Sequence, residues 1–169
     1  MQFDKKNLLE FLEEVNGYLE KSIDIIATGG TAMTLLDIKS STIDIDFIIS
    51  SVDEKELRKA LGAIPHGYRI DIFTDGMVFS QKLPADYSKK SILIKRFGKI
   101  RLYALQPVDI IVTKIGRLNE RDIQDIKDCI RKFRIKKEEI KKRAGTVEYV
   151  GKEENYKINL KYVLENVVK

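Results

Sequence analysis

Thr28-Gly29-Gly30-Thr31-Ala32-Met33-Thr34-Leu35-Leu36 leads, after a short loop, into Ser41-Thr42-Ile43-Asp44-Ile45-Asp46-Phe47-Ile48-Ile49. The order of these parts decides how the chain reads. The apolar run 23–28 predicts a strand, and 31–36 predicts a short helix whose free N–H groups and positive dipole end suit a phosphate. Glycine at 29 and 30 lets the backbone approach that phosphate, where a side chain would obstruct it. Residues 43–49 predict a second strand. Its alternation places Asp44 and Asp46 on one side and Ile43, Ile45 and Phe47 towards a core. The two aspartates are then roughly 7 Å apart at Cα, and paired carboxylates suit a hard divalent cation that takes oxygen ligands. Residues 68–73 repeat the device, with Asp71 between Ile70 and Ile72. The competing reading is an ordinary turn beside a solvated strand face. Three acidic strand positions together with a glycine loop favour a magnesium-dependent nucleotide site.

The same segments resemble the nucleotidyltransferase superfamily, whose best-known fold is that of DNA polymerase β. Within it they look like small AbiEii-type and minimal nucleotidyltransferases, often found in toxin–antitoxin pairs. The similarity runs over about residues 23–130. It includes Pro107-Val108-Asp109-Ile110-Ile111-Val112-Thr113-Lys114-Ile115-Gly116-Arg117 and Arg121-Asp122-Ile123-Gln124-Asp125-Ile126. The resemblance implies an α+β fold, a mixed sheet flanked by helices with a helical C-terminal part. Residues 1–106 would form the core, with 107–169 packed on it. It also implies an enzyme that uses Mg²⁺ (or Mn²⁺) to move a nucleoside monophosphate from a nucleoside triphosphate to RNA (tRNA included), protein or a small molecule.

On that resemblance Asp44, Asp46 and Asp71 would be both metal ligands and catalytic carboxylates, Asp71 accepting the proton of the attacking hydroxyl. Gly29, Gly30, Thr31, Ser41, Lys114, Asp122 and Asp125 would bind the nucleotide. One departure matters: many members carry Gly-Ser at the first motif, and the serine helps hold the triphosphate. Here Gly30-Thr31 occupy that region, so the hydroxyl has to come from Thr31. Lys114 reads equally well as a solvated helix charge. Asp125 reads equally well as the partner of Arg121 at helical spacing. Ser40, Ser41 and Thr42 contact phosphate or merely end the loop. The alternative for the whole chain is a catalytically weak member, with the fold serving an antitoxin or toxin partner or RNA.

Composition bounds the other classes. The chain has 169 residues, 43% hydrophobic and 34% charged, enough for one compact domain or a core with a helical appendage. No stretch approaches the roughly 18 apolar residues of a membrane span, and no signal peptide is visible, which reads as cytoplasmic. Cys129 is the single cysteine and His66 the single histidine, so a disulfide or a zinc cluster is not expected. Cys129 sits at an apolar helical position, and His66 in a Pro-His-Gly turn. Charge is unevenly spread. Residues 1–88 carry 9 basic and 15 acidic side chains, and residues 89–143 carry 18 and 7. A basic half suits a polyanionic acceptor; a salt-bridged thermophile surface accounts for it equally well.

The remaining pattern predicts a helix over 5–20 capped by Asp4 and a helix over 52–61 capped by Ser51. It leaves 77–86 irregular and predicts a hairpin of 91–97 and 100–105 around Gly98-Lys99. Pro107 opens a helix to about 118. Further helices follow over 120–133, 136–144 and 158–168, with a loop and short strand over 145–151.

Overall fold

The computed structural model describes residues 1–169 as two compact units. The first comprises 1–75 and 91–105, and the second comprises 76–90 and 106–169.

The first unit is an α+β fold. Helix α1 (Lys5–Asn16) is capped by Asp4, whose side chain accepts the Asn7 N–H at 2.8 Å. It ends four residues before the sequence pattern suggests, because Gly17 takes the C-cap. Its apolar face buries Leu8, Phe11, Leu12 and Val15, while Phe11 and Phe3 meet the Tyr68 ring edge-on. The sheet contains β1 (Ile23–Ala27), β2 (Ile45–Ile49), β3 (Ile70–Thr74), β6 (Ile92–Arg96) and β7 (Ile100–Ala104), in the order β3-β2-β1-β7-β6. It is mixed: β1 runs parallel to β7 and antiparallel to β2, β2 is parallel to β3, and β6 and β7 form the expected hairpin. Helix α2 (Gly29–Leu35) follows β1 directly and packs against β1, β2 and β7. Helix α3 (Glu54–Gly62) has Asp53 as its N-cap residue, not Ser51. The Ser51 N–H is instead engaged by the Asp75 carboxylate at 3.0 Å.

Within β2, Ile45 and Phe47 are fully buried, as alternation requires. Ile43 is 53% exposed and does not face the core. Pairing starts only at Ile45, so Ile43 and Asp44 lie in a bend where the two-residue period does not apply.

The second unit is mainly helical, with α4 (Tyr87–Lys90), α5 (Pro107–Ile115), α6 (Glu120–Phe133), α7 (Lys137–Ala144) and α8 (Glu153–Tyr162). A π-helical turn, Val163–Val167, closes it. The segment read as irregular holds two short strands, β4 (Met77–Val78) and β5 (Gln81–Lys82), which pair antiparallel and take β8 (Glu148–Tyr149) on the outer side of β5. Gly116 is required here, since a Cβ would lie 1.7 Å from Gln81 Nε2. Cys129 is fully buried in α6, and His66, in the first unit, is exposed. No helix is long and apolar enough to cross a membrane.

Candidate active site

In the first unit, β2 and β3 run parallel with Asp46 paired to Asp71. Neighbouring strands lie about 4.8 Å apart, and paired residues project to one face. The two carboxylates therefore stand side by side. Asp44 comes one residue before β2, and two side-chain hydroxyls hold it in place. Its carbonyl accepts hydrogen bonds from Thr31 Oγ1 at 3.1 Å and Thr42 Oγ1 at 2.9 Å. Thr31 Oγ1 in turn accepts the Asp46 N–H at 2.9 Å. The fully buried Thr31 hydroxyl thus ties α2 to the Asp-x-Asp backbone, and its single proton goes to the Asp44 carbonyl.

The glycines lie against the same segment. Gly29 adopts φ +55°, a left-handed conformation, and a Cβ there would come within 3.0 Å of Asp46 Oδ2. A Cβ on Gly30 would come within 2.7 Å of Thr42 Oγ1. Gly-Gly is thus demanded by the closeness of the loop to Asp46 and Thr42. The first-turn N–H groups of α2 have no intrahelical acceptor, as in any helix.

Arg69 is a member of the site that the sequence reading did not single out. Its Nε lies 3.4 Å from Asp71 Oδ2 and 4.0 Å from Asp44 Oδ1. The signal was present: Arg69 precedes Asp71 by two residues, so strand alternation puts both on one face. No three His, Cys, Asp or Glu side chains converge closely enough to form a ready-made metal cage. Asp44 and Asp71 both lie near the exposed Arg69 guanidinium. Ser41 contacts Gln2 Oε1 through its hydroxyl at 3.4 Å.

Lys114, Asp122 and Asp125 belong to the second unit and meet one another there. Lys114 Nζ lies 2.8 Å from Asp125 Oδ2 and 3.5 Å from Asp122 Oδ1, with all three side chains under 10% exposed. Arg117 forks onto Asp122 through Nε and Nη2, each at 2.8 Å. Asn119 and Asp122 complete a capping box that starts α6. Burial works against ionisation of Asp122. The Arg117 hydrogen bonds, the Lys114 charge and the Asn119 N–H outweigh it and hold the carboxyl below its ordinary range. A second buried charge pair joins α7 to α5, where Arg143 Nη2 meets Asp109 Oδ2 at 2.9 Å and Nη1 meets Asp86 at 2.7 Å.

The mixed sheet thus carries a Gly-Gly turn packed against the Asp-x-Asp segment, the two motifs on which the chain resembles nucleotidyltransferases. The family model described as "Nucleotidyltransferase of unknown function (DUF6036)" matches residues 6–169, and the chain belongs to that family. No curated protein and no solved structure matched the chain.

Proposed function

We propose that the first unit binds a nucleoside triphosphate with Mg²⁺ or Mn²⁺ and that the protein transfers the nucleoside monophosphate to an acceptor. The observation that carries this is the register of Asp46 with Asp71 on adjacent strands, together with Arg69, whose Nε lies within 4.0 Å of both Asp44 and Asp71. The donor chemistry fits: all three groups offer oxygen, and two of them already face the Arg69 cation, at 3.4 and 4.0 Å. The bound cation would neutralise phosphate charge and favour in-line displacement at the α-phosphorus. Asp44, Asp46 and Asp71 would hold it. The Gly29-Gly30 backbone would lie along the phosphates, where side chains would block approach. Asp71 would accept the proton of the acceptor hydroxyl as its oxygen bonds to the α-phosphorus. The α–β bridging bond then breaks, and pyrophosphate leaves with the electron pair.

Thr31 serves this site by fixing Asp44 and Asp46. Lys114, Asp122 and Asp125 we read as the electrostatic core of the helical unit, because each charge is buried against an opposite one. A polyanionic acceptor such as RNA draws support from the run of exposed cations Arg131, Lys132, Arg134, Lys136 and Lys137, which includes the exposed aromatic Phe133 in its sequence.

Thermal unfolding with Mg²⁺ and each triphosphate tests the site. Saturation at 100 times Kd adds about 2.7 kcal/mol, a rise of roughly 5–10 °C for a chain of this length. Asp44→Asn with Asp46→Asn should remain folded and lose the rise. The absence of a rise with every triphosphate would favour the non-catalytic, partner-binding alternative.

A further inference from the structure

Thr28 is buried, and its hydroxyl has no hydrogen-bond partner. It occupies the N-cap position of α2 yet makes no capping bond. Its N–H donates to the Asp46 carbonyl at 3.1 Å, which extends the Ala27–Phe47 pairing by one residue. Thr28 therefore lies opposite Asp46, and Asp46 lies opposite Asp71. Opposed residues on neighbouring strands project to the same face, so Thr28, Asp46 and Asp71 form a row across three strands. Burying an unpaired hydroxyl is costly. Valine has nearly the same shape without that cost, so packing alone does not account for threonine here.

We propose that Thr28 is a positioning residue whose hydroxyl donates to the Asp46 carboxylate when that carboxylate turns to a divalent cation. The inference rests on the reading of Asp44, Asp46 and Asp71 as cation ligands. Ligating carboxylates are themselves held by hydrogen bonds, and losing such a partner costs roughly ten- to a hundredfold in metal affinity. Thr31 is not available for this role, since its proton is committed to the Asp44 carbonyl.

The test is Mn²⁺ titration of the full chain, followed by electron paramagnetic resonance, with and without a non-hydrolysable ATP analogue. Thr28→Val should bind Mn²⁺ roughly ten- to a hundredfold more weakly in both series. Thr28→Ser should stay near the wild type. The melting temperature of the metal-free valine variant should be unchanged or higher, because an unpaired hydroxyl has been removed. Wild-type Mn²⁺ affinity in Thr28→Val would overturn this inference and leave the site reading standing. No Mn²⁺ binding by the wild type would overturn both. A loss confined to titrations with the nucleotide would assign the hydroxyl to phosphate and overturn its link to Asp46. A lower melting temperature for the metal-free valine variant would show that the free fold already uses the hydroxyl, and would overturn the inference too.

Discussion

Replacing Thr31 with valine removes one hydroxyl and keeps the side-chain shape. Thr31 is fully buried, so water cannot replace what is lost. Two bonds go: the one to the Asp44 carbonyl and the one from the Asp46 N–H. The consequences differ. The Asp44 carbonyl keeps the Thr42 hydroxyl as a donor, so its loss is the smaller one. The Asp46 N–H loses its side-chain acceptor, and leaving such a group unpaired costs about 1–3 kcal/mol. Together the losses come to about 2–3 kcal/mol, a fall in Tm of roughly 5–10 °C for a chain of this size. Thr31→Ser keeps both bonds and gives up one buried methyl, about 1 kcal/mol. Urea and thermal unfolding of the two variants side by side measure this. A valine variant as stable as the wild type, or more stable than the serine variant, would refute the claim that this hydroxyl anchors the Asp-x-Asp segment.

Lys114→Met should destabilise the protein by about 3 kcal/mol in urea unfolding, because it leaves the buried Asp125 carboxylate without its ammonium while Asp122 keeps Arg117; a change under about 0.5 kcal/mol would contradict the buried network. The Tyr156 hydroxyl donates to the Val112 carbonyl at 2.9 Å, and burial pushes its ionisation above the ordinary tyrosine range. A folded pKa above the unfolded one means stability held below about pH 10 and lost as pH rises further, so Tyr156→Phe should flatten the alkaline limb of a stability–pH curve. Reversing Arg131, Lys132 and Lys136 to Glu should weaken binding of an RNA oligonucleotide and shallow its salt dependence while nucleotide-induced stabilisation persists; an identical salt slope would return these cations to a solvated surface.

The parts of the fold that the sequence made legible are those where local chemistry and tertiary packing agree. Asp4 caps α1, Pro107 opens α5, and Gly98-Lys99 turns the hairpin, because each acts within a few residues of itself. Asp46 and Asp71 share a face because strand alternation needs only the strand to be right. Ile43 broke the pattern because alternation ends where pairing ends, and pairing is set by a neighbour distant in sequence. Ser51 falls two residues short of the N-cap position, which Asp53 occupies without a side-chain capping bond, and the Ser51 backbone is tied instead to Asp75, 24 residues away. The three short strands of the second unit were invisible because two-residue strands carry no period. In the site, Thr31 was read as a phosphate donor from its place beside Gly30. Its use as a clamp on β2 depends on a contact across 13–15 residues. Helix position alone does not reveal the two buried carboxylates beside Lys114, so its burial is not legible in the sequence.

The central claim is that this face of the sheet directs nucleotidyl transfer, and label transfer tests it most directly. The protein is incubated with Mg²⁺, total cellular RNA and protein, and each nucleoside triphosphate labelled at either the α- or the γ-phosphorus. The account predicts that α-label enters an acceptor and that γ-label leaves only as pyrophosphate. It also predicts that Asp46→Asn, folded by its melting curve, transfers no α-label and releases no labelled pyrophosphate. Transfer of γ-label, or α-transfer undiminished in Asp46→Asn, would contradict it.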